Sequence, residues 1–256
     1  MIMLTLLASI ALFGATLGMI ELGRRIGVRR YREEGEVATK GFSAVEGAIF
    51  ALLGLMLAFS FSGALARFDD RRKLVVQEAN DIGTAWLRID LLPVEKQAPI
   101  RALFRQYLDV RLQAYRDIQS PESARAELSR LGALQQEIWR LALAETPPGV
   151  PHPERILVVP ALNAMFDSTT AHNEAARLHV PKVIFVMLGA LILACALFAG
   201  YDMGGHPKLN LLHSVAFALV LCVTVYVIID LEHPRIGLIK MSDSDAVLVP
   251  LRESMN

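Results

Sequence analysis

Residues 44–93 carry one pattern without a break. An apolar stretch, AVEGAIFALLGLMLAFSFSGALA, passes with no helix breaker into a charged amphipathic stretch, RFDDRRKLVVQEANDIGTAWLRIDLL, and ends only at Pro93. The apolar part is long enough to cross a bilayer, since about 20 residues at about 1.5 Å each cover roughly 30 Å of hydrocarbon. The charged part places Val75, Ala79, Ile82, Trp86 and Ile89 at alternating spacings of four and three, as in a helix that buries one face and wets the other. A helix that leaves the lipid and continues ties a membrane core to a water-facing helical assembly.

The rest of the chain fits that constraint. Of 256 residues, 54% are hydrophobic and only 20% charged, too apolar for an ordinary soluble domain. Four runs reach spanning length: residues 2–22, 44–66, 182–200 and 210–229. The first has no basic residue ahead of it and no small-x-small cleavage pattern, so it is expected to be a retained span with its N-terminus outside. Cys195 and Cys222 both fall inside apolar runs and act as small hydrophobes. With 26 basic and 26 acidic residues the formal charge is zero, which offers no field for nucleic acid.

Orientation rests on Arg24, Arg25, Arg29, Arg30, Arg32 and Lys40, which the positive-inside bias places in the cytoplasm. The segment between the second and third spans is then extracytoplasmic, and the expected location is a bacterial inner membrane. Arg67, Arg71, Arg72 and Lys73 form a competing basic cluster, softened by Asp69 and Asp70.

Four helices are expected in residues 67–180. The first continues from the second span to Leu92. The second carries Ile100, Leu103, Phe104, Tyr107, Leu108, Tyr115 and Ile118 on one face. The third has Ser120 as N-cap and Pro121 at its first position, with Leu128, Leu131, Ile138 and Leu141 as its stripe. The fourth follows the 146–153 loop and shows a small-residue seam of Leu157, Ala161, Ala164, Ser168, Ala171, Ala175 and Leu178, then meets the third span through Val180 and Pro181, where a kink is expected. The expected architecture is all-α: four transmembrane helices with an extramembrane four-helix bundle inserted between spans two and three. The expected segments are 1–66 (two spans and a basic loop), 67–180 (the bundle), 181–230 (two spans) and 231–256 (an interfacial tail). In the tail, Ser242 and Asp245 resemble a capping box for a short helix carrying Val247, Leu248 and Leu251, which lies along the interface or docks on the bundle.

Small residues four apart let helices approach in lipid. Gly14 and Gly18 form one such pair, Gly54, Ala58, Ser62 and Ala66 a longer stripe, and Ser214, Ala218 and Cys222 a third. Packing within one protomer is the ordinary use of such stripes; a subunit contact or pore lining is the other. The candidates for that second use are Gly54, Ala58, Phe59, Ser62 and Ala66. Ser60 and Ser62 line a wet path in that case, and otherwise bond back to their own helix.

No ionisable residue lies deep in any span, which argues against proton-coupled transport and leaves a passive channel open. Glu21, Glu46, Asp230 and His213 sit at span edges as anchors or caps. On the first extramembrane helix Glu78, Asn80, Asp81 and Thr84 interrupt the surface. They make either a polar ring between protomers or a buried network and solvated charge within one. His172 and His179, seven apart with Asp167 and Glu174 nearby, lack the further ligands a metal needs, and no cofactor is expected. The segment's 15 basic and 15 acidic residues from Arg67 to Val180 also balance. There is no GxSxG, P-loop, GxGxxG or paired-cysteine motif, so an enzyme is not expected.

The phrases FSFSGALARFDDRR and VVQEANDIGTAWLR, and the Pro-Arg-x-Gly-Leu-Ile sequence that begins at Pro234, resemble the bacterial bestrophin-like domain family of multi-span membrane proteins. The resemblance runs from the second span to the tail. It implies kinship with bestrophins, which are pentameric anion channels, and carries over no individual pore or calcium-site residue. The expected function is an oligomeric passive channel whose partners are the lipid bilayer, copies of itself and small inorganic ions. The alternative is a membrane-anchored sensory or scaffolding protein whose bundle binds a ligand or partner.

Overall fold

Apolar periodicity that drifts round a helix and never alternates strand-wise leaves little choice of element, and the computed structural model is helical throughout the residues it describes, with no strand among them. These are residues 2–34, 43–116, 121–144, 153–205, 211–234, 237–239 and 247–255. Lys40, Ile118, Ser120, Ser242, Asp245 and residues 146–152 of the loop lie outside them, as does the side chain of Tyr115. The helices are α1 (Ile2–Glu34), α2 (Ser43–Arg88), α3 (Val94–Arg116), α4 (Pro121–Leu143), α5 (Glu154–Arg177), α6 (Lys182–Asp202), α7 (Leu211–Glu232) and α8 (Leu248–Glu253). Among the described residues four helical stretches are long and apolar enough to cross a membrane. The chain divides into two units, Met1–Phe68 with His179–Ile239, and Asp69–Leu178 with Lys240–Asn256.

In the first unit α1 packs along α6 and also touches α7. The contact is backbone on backbone. A Cβ added at Gly200 would stand 1.9 Å from the carbonyl oxygen of Ile20, one at Gly23 would stand 2.0 Å from that of Leu197, and one at Gly27 would stand 2.3 Å from that of Tyr201. Gly204 approaches Gly27 just as closely. Gly23/Gly27 and Gly200/Gly204 are thus two facing small-xxx-small pairs, and only hydrogen fits at the crossing. The pair singled out from the sequence, Gly14 and Gly18, is not used this way: among the described residues no other helix comes within 4 Å of where its Cβ atoms would be. Ser214, Ala218 and Cys222, by contrast, are buried. The core of this unit is Leu53 from α2, Leu188, Ile192 and Cys195 from α6, and Leu221 and Val225 from α7, with Phe50 edge-on to Phe217 at 6.2 Å.

In the second unit the 69–88 part of α2 runs antiparallel to α5. Arg71 donates to the carbonyls of Ala175 and Leu178, and Arg88 to that of Leu157. Ile82, Trp86, Ile100, Phe104, Tyr107, Leu131, Ile138 and Met165 fill the core. A short 3-10 turn, Ile89–Leu91, closes α2 ahead of Pro93. The tail helix α8 docks here: Leu248 and Met255 are buried, Leu251 packs beside them, Arg252 pairs with Asp109 at 2.8 Å, and Arg105 donates to the Met255 carbonyl.

Two expectations need correction. The small-residue seam of α5 is not its inner face. Val158, Leu162, Met165, Thr169 and His172 are buried along with Ala161 and Ser168, while Leu157, Ala164 and Ala171 are exposed. Core packing selects the bulkier neighbours, because they bury more apolar area. The chain between α5 and α6 also stops instead of kinking. Leu178 is extended and residues 178–181 are non-helical, since the residue before a proline is driven out of the helical region.

Gly200→Val is expected to disrupt the α1–α6 crossing and to cost at least the 1–3 kcal/mol usual for overpacking, at about 1 kcal/mol or more above Gly18→Val. Thermal unfolding of the full chain in detergent compares the two.

Candidate functional site

Two regions gather the residues singled out from the sequence. The first is the apolar part of α2. It buries a face made by Leu53, Ser60, Ala64 and Phe68, and leaves the opposite one open. Gly54, Ala58, Phe59, Ser62 and Ala66 all lie on exposed surface, with Phe59 66% accessible. Nothing within 4 Å of Gly54 would meet a side chain there. Of the three small-residue stripes, the one on α7 is consumed by packing inside the chain, and the one on α2 is not.

The second region is the polar cluster of the bundle, and its members separate. Glu78 is fully buried, whereas Asn80 and Thr84 are exposed and Asp81, half-buried, accepts a bond from Gln77 at 2.9 Å. Glu78 is held by Arg111 on α3, whose Nε lies 2.6 Å from Oε1 and whose Nη2 donates to Oε2 at 2.7 Å. His172 on α5 places Nδ1 2.8 Å from Oε2. The Thr169 hydroxyl lies 3.0 Å from both Glu78 Oε1 and the Met165 carbonyl, and having one proton it donates to one at a time. Tyr107 stands 2.7 Å from the same hydroxyl, and Gln135 donates to Tyr107. Arg111 also reaches Asn173 at 3.2 Å. Burial alone would raise the Glu78 carboxyl, but the Arg111 guanidinium and the bonds from His172 and Arg111 outweigh it and hold the group down at about 2. Burial pushes the Tyr107 phenol up.

This arrangement is a closed network joining α2, α3, α4 and α5. Glu78 therefore takes the buried role of the two weighed from sequence. It does not share a surface with Asp81, because burying Ile82 and Val75 turns position 78 inward. His172 and His179 are not brought together as ligands: His172 serves Glu78, and His179 lies past the end of α5 in the other unit. Among the described residues no three His, Cys, Asp or Glu side chains are grouped to hold a metal ion.

A third cluster was missed. Glu232, at the end of α7 and almost wholly buried, receives Arg67 from α2 at 2.6 Å and the backbone amide of Val180 at 3.2 Å, with His179 Nδ1 at 3.8 Å. His179 stacks on His233 at 5.0 Å between ring centres. Two residues earlier, Asp230 accepts the amides of Leu238 and Ile239 and so caps the turn after the span. The available signal was positional: Arg67 is the first charge after the second span, and Glu232 follows Asp230 as the second charge after the fourth.

Described residues that are helical throughout, with four apolar helices of spanning length, define a multi-span membrane protein. The sequence matches the family model described as Bestrophin-like domain over residues 10–246, and the chain belongs to that family. No curated protein matches it. Among solved structures it is similar to two single-mutant forms of a bacterial bestrophin homologue from Klebsiella pneumoniae. The first has a TM-score of 0.67 at 15% identity, covering 95% of this chain and 98% of that one. The second has a TM-score of 0.65 at 14% identity, covering 96% of each. At such identity the likeness is one of fold.

Removing Glu78 takes the nearer carboxylate from buried Arg111 and leaves it only Glu127 at 4.0 Å, so Glu78→Ala is expected to cost about 3–5 kcal/mol in chemical denaturation of the full chain. Because the carboxyl is depressed from 4.5 to about 2, its stabilisation is complete above pH 4.5 and is lost as pH falls towards 2. Glu78→Gln should flatten the wild-type loss of stability across that window, followed by circular dichroism.

Proposed function

We propose that the chain is the protomer of a homo-oligomeric passive ion channel, with the open face of α2 serving as its subunit contact or pore lining. The observation that carries this reading is the exposure of Gly54, Ala58, Ser62 and Ala66 on a helix whose opposite face is buried. Small residues invite close approach in lipid, and among the described residues nothing lies within 4 Å of where a Gly54 side chain would stand. Membership of the bestrophin-like family and the fold shared with a bestrophin homologue support the same reading. Polar exposure at Ser62 gives such a face a place where a hydrated ion is tolerated, while Phe59 and Ala66 supply apolar constriction.

In this reading residues 67–180 stand outside the bilayer, on the extracytoplasmic side of a bacterial inner membrane. The buried Glu78–Arg111 pair and the 15 charges of each sign suit water-facing helices. The competing basic cluster weakens as an orientation signal once its partners are counted. Arg67 is paired with Glu232, Arg71 with backbone carbonyls, and Lys73 with Asp70. Arg24, Arg25 and Arg29 of α1 are paired too, and the preference for the α1 side rests on the count of six basic residues there, Lys40 included, against four.

Purified full-length protein in proteoliposomes is expected to pass small ions down their gradient, and Ser62→Trp to change that flux by about tenfold or more with helicity unchanged. Absence of flux across several anions, cations and voltages would contradict the proposal.

A further inference from the structure

We infer that the arginine-bearing end of α1 is a docking surface for the headgroups of anionic phospholipids. Residues 2–22 account for about 30 Å at about 1.5 Å per residue, so the remainder of α1 stands at headgroup level and beyond. On that remainder Arg25, Arg29 and Arg32 follow at intervals of four and three and so share one face of the helix. All three are exposed, the side chains of Arg25 and Arg29 by 73% and 84%. Leu22 and Ile26 are exposed beside them, and Tyr31 is exposed further round the helix, apolar and amphipathic groups of the kind that settle at the membrane interface.

The charge on this segment is only partly answered from within. Over residues 21–34 five arginines face Glu21, Glu33 and Glu34, a net of +2 from 5 − 3. Glu21 pairs with Arg24 and Arg25 at 2.8 Å, and Glu33 with Arg29 at 3.4 Å. Pairs as exposed as Arg29–Glu33 are weak and exchange readily for another anion. A phosphodiester headgroup carries its negative charge at the depth where these cations stand, so the attraction depends on charge. The basic residues after the second span make a contrast: Arg67 and Arg71 are committed to partners within the chain. The depth of the face and its apolar flank select a lipid over a soluble phosphate. The inference needs the membrane placement of α1 and does not depend on conduction.

The test is native mass spectrometry of the full chain in detergent, titrated with dioleoylphosphatidylglycerol or dioleoylphosphatidylcholine. Wild type is expected to retain the glycerol lipid about tenfold more tightly than the choline lipid. R25Q/R29Q/R32Q should bring the two within about twofold, while R25K/R29K/R32K, which keeps the charge, and R72Q, which removes an exposed arginine elsewhere, should hold the preference. The inference is overturned by a wild type without preference, by a glutamine variant that keeps it, by a lysine variant or R72Q that loses it, or by displacement of the lipid by equimolar glycerol 3-phosphate.

Discussion

The backbone contact between α1 and α6 decides how the membrane unit is built. With hydrogen as the only side chain at Gly23 and Gly27 of α1, at Gly200 of α6 and at Gly204 in the 3-10 turn Met203–Gly205 that follows it, the two segments close on each other at carbonyl distance. In lipid there is no hydrophobic gain from apolar side chains meeting, so such close packing is the available source of specificity. Cys195, Ala218 and Cys222 are small and buried in the same unit. α2 joins this core through one face, that of Leu53, and keeps the other open. The proposed functional surface is what remains after the glycine crossing has chosen partners for α1, α6 and α7.

Three buried carboxylates in the two units are answered within the chain, whereas Glu46 keeps one oxygen buried with no hydrogen-bond partner among the described residues. Glu78 has Arg111, His172 and Thr169; Glu232 has Arg67 and the Val180 amide; Asp230 has two backbone amides. Removing one partner from such a set costs more than the set contributes in net stability, because the remaining charge stays buried. These clusters fix which residues of α2, α5 and α7 meet, and their closure within the chain separates them from the exposed groups at Asn80, Thr84 and Ser62.

The helices themselves could be read from the sequence, because apolar periodicity and proline position act locally. Pro93 ends the α2 segment and Pro121 opens α4 as their missing amides require. The glycine contact could not be assigned, because Gly14-x-x-x-Gly18 and Gly23-x-x-x-Gly27 have the same pattern and only the tertiary partner distinguishes them. The arginine-rich surroundings of Gly23 disguised it as loop. Arg111 was legible in principle, since it lies three and four residues after Leu108 and Tyr107 on the apolar stripe of α3, where a solitary cation calls for a buried anion. The α5 seam misled because Ala164 and Ala171 fit a heptad as well as Leu162 and Thr169 do, and volume, not spacing, settled the choice.

The central claim is that the open face of α2 meets another copy of the chain. Light scattering of the purified protein in detergent measures this most directly. The account predicts one species of several protomers for wild type, and its dissociation in Ala58→Trp with helicity retained. A wild type that runs as a 28.2 kDa monomer would contradict it.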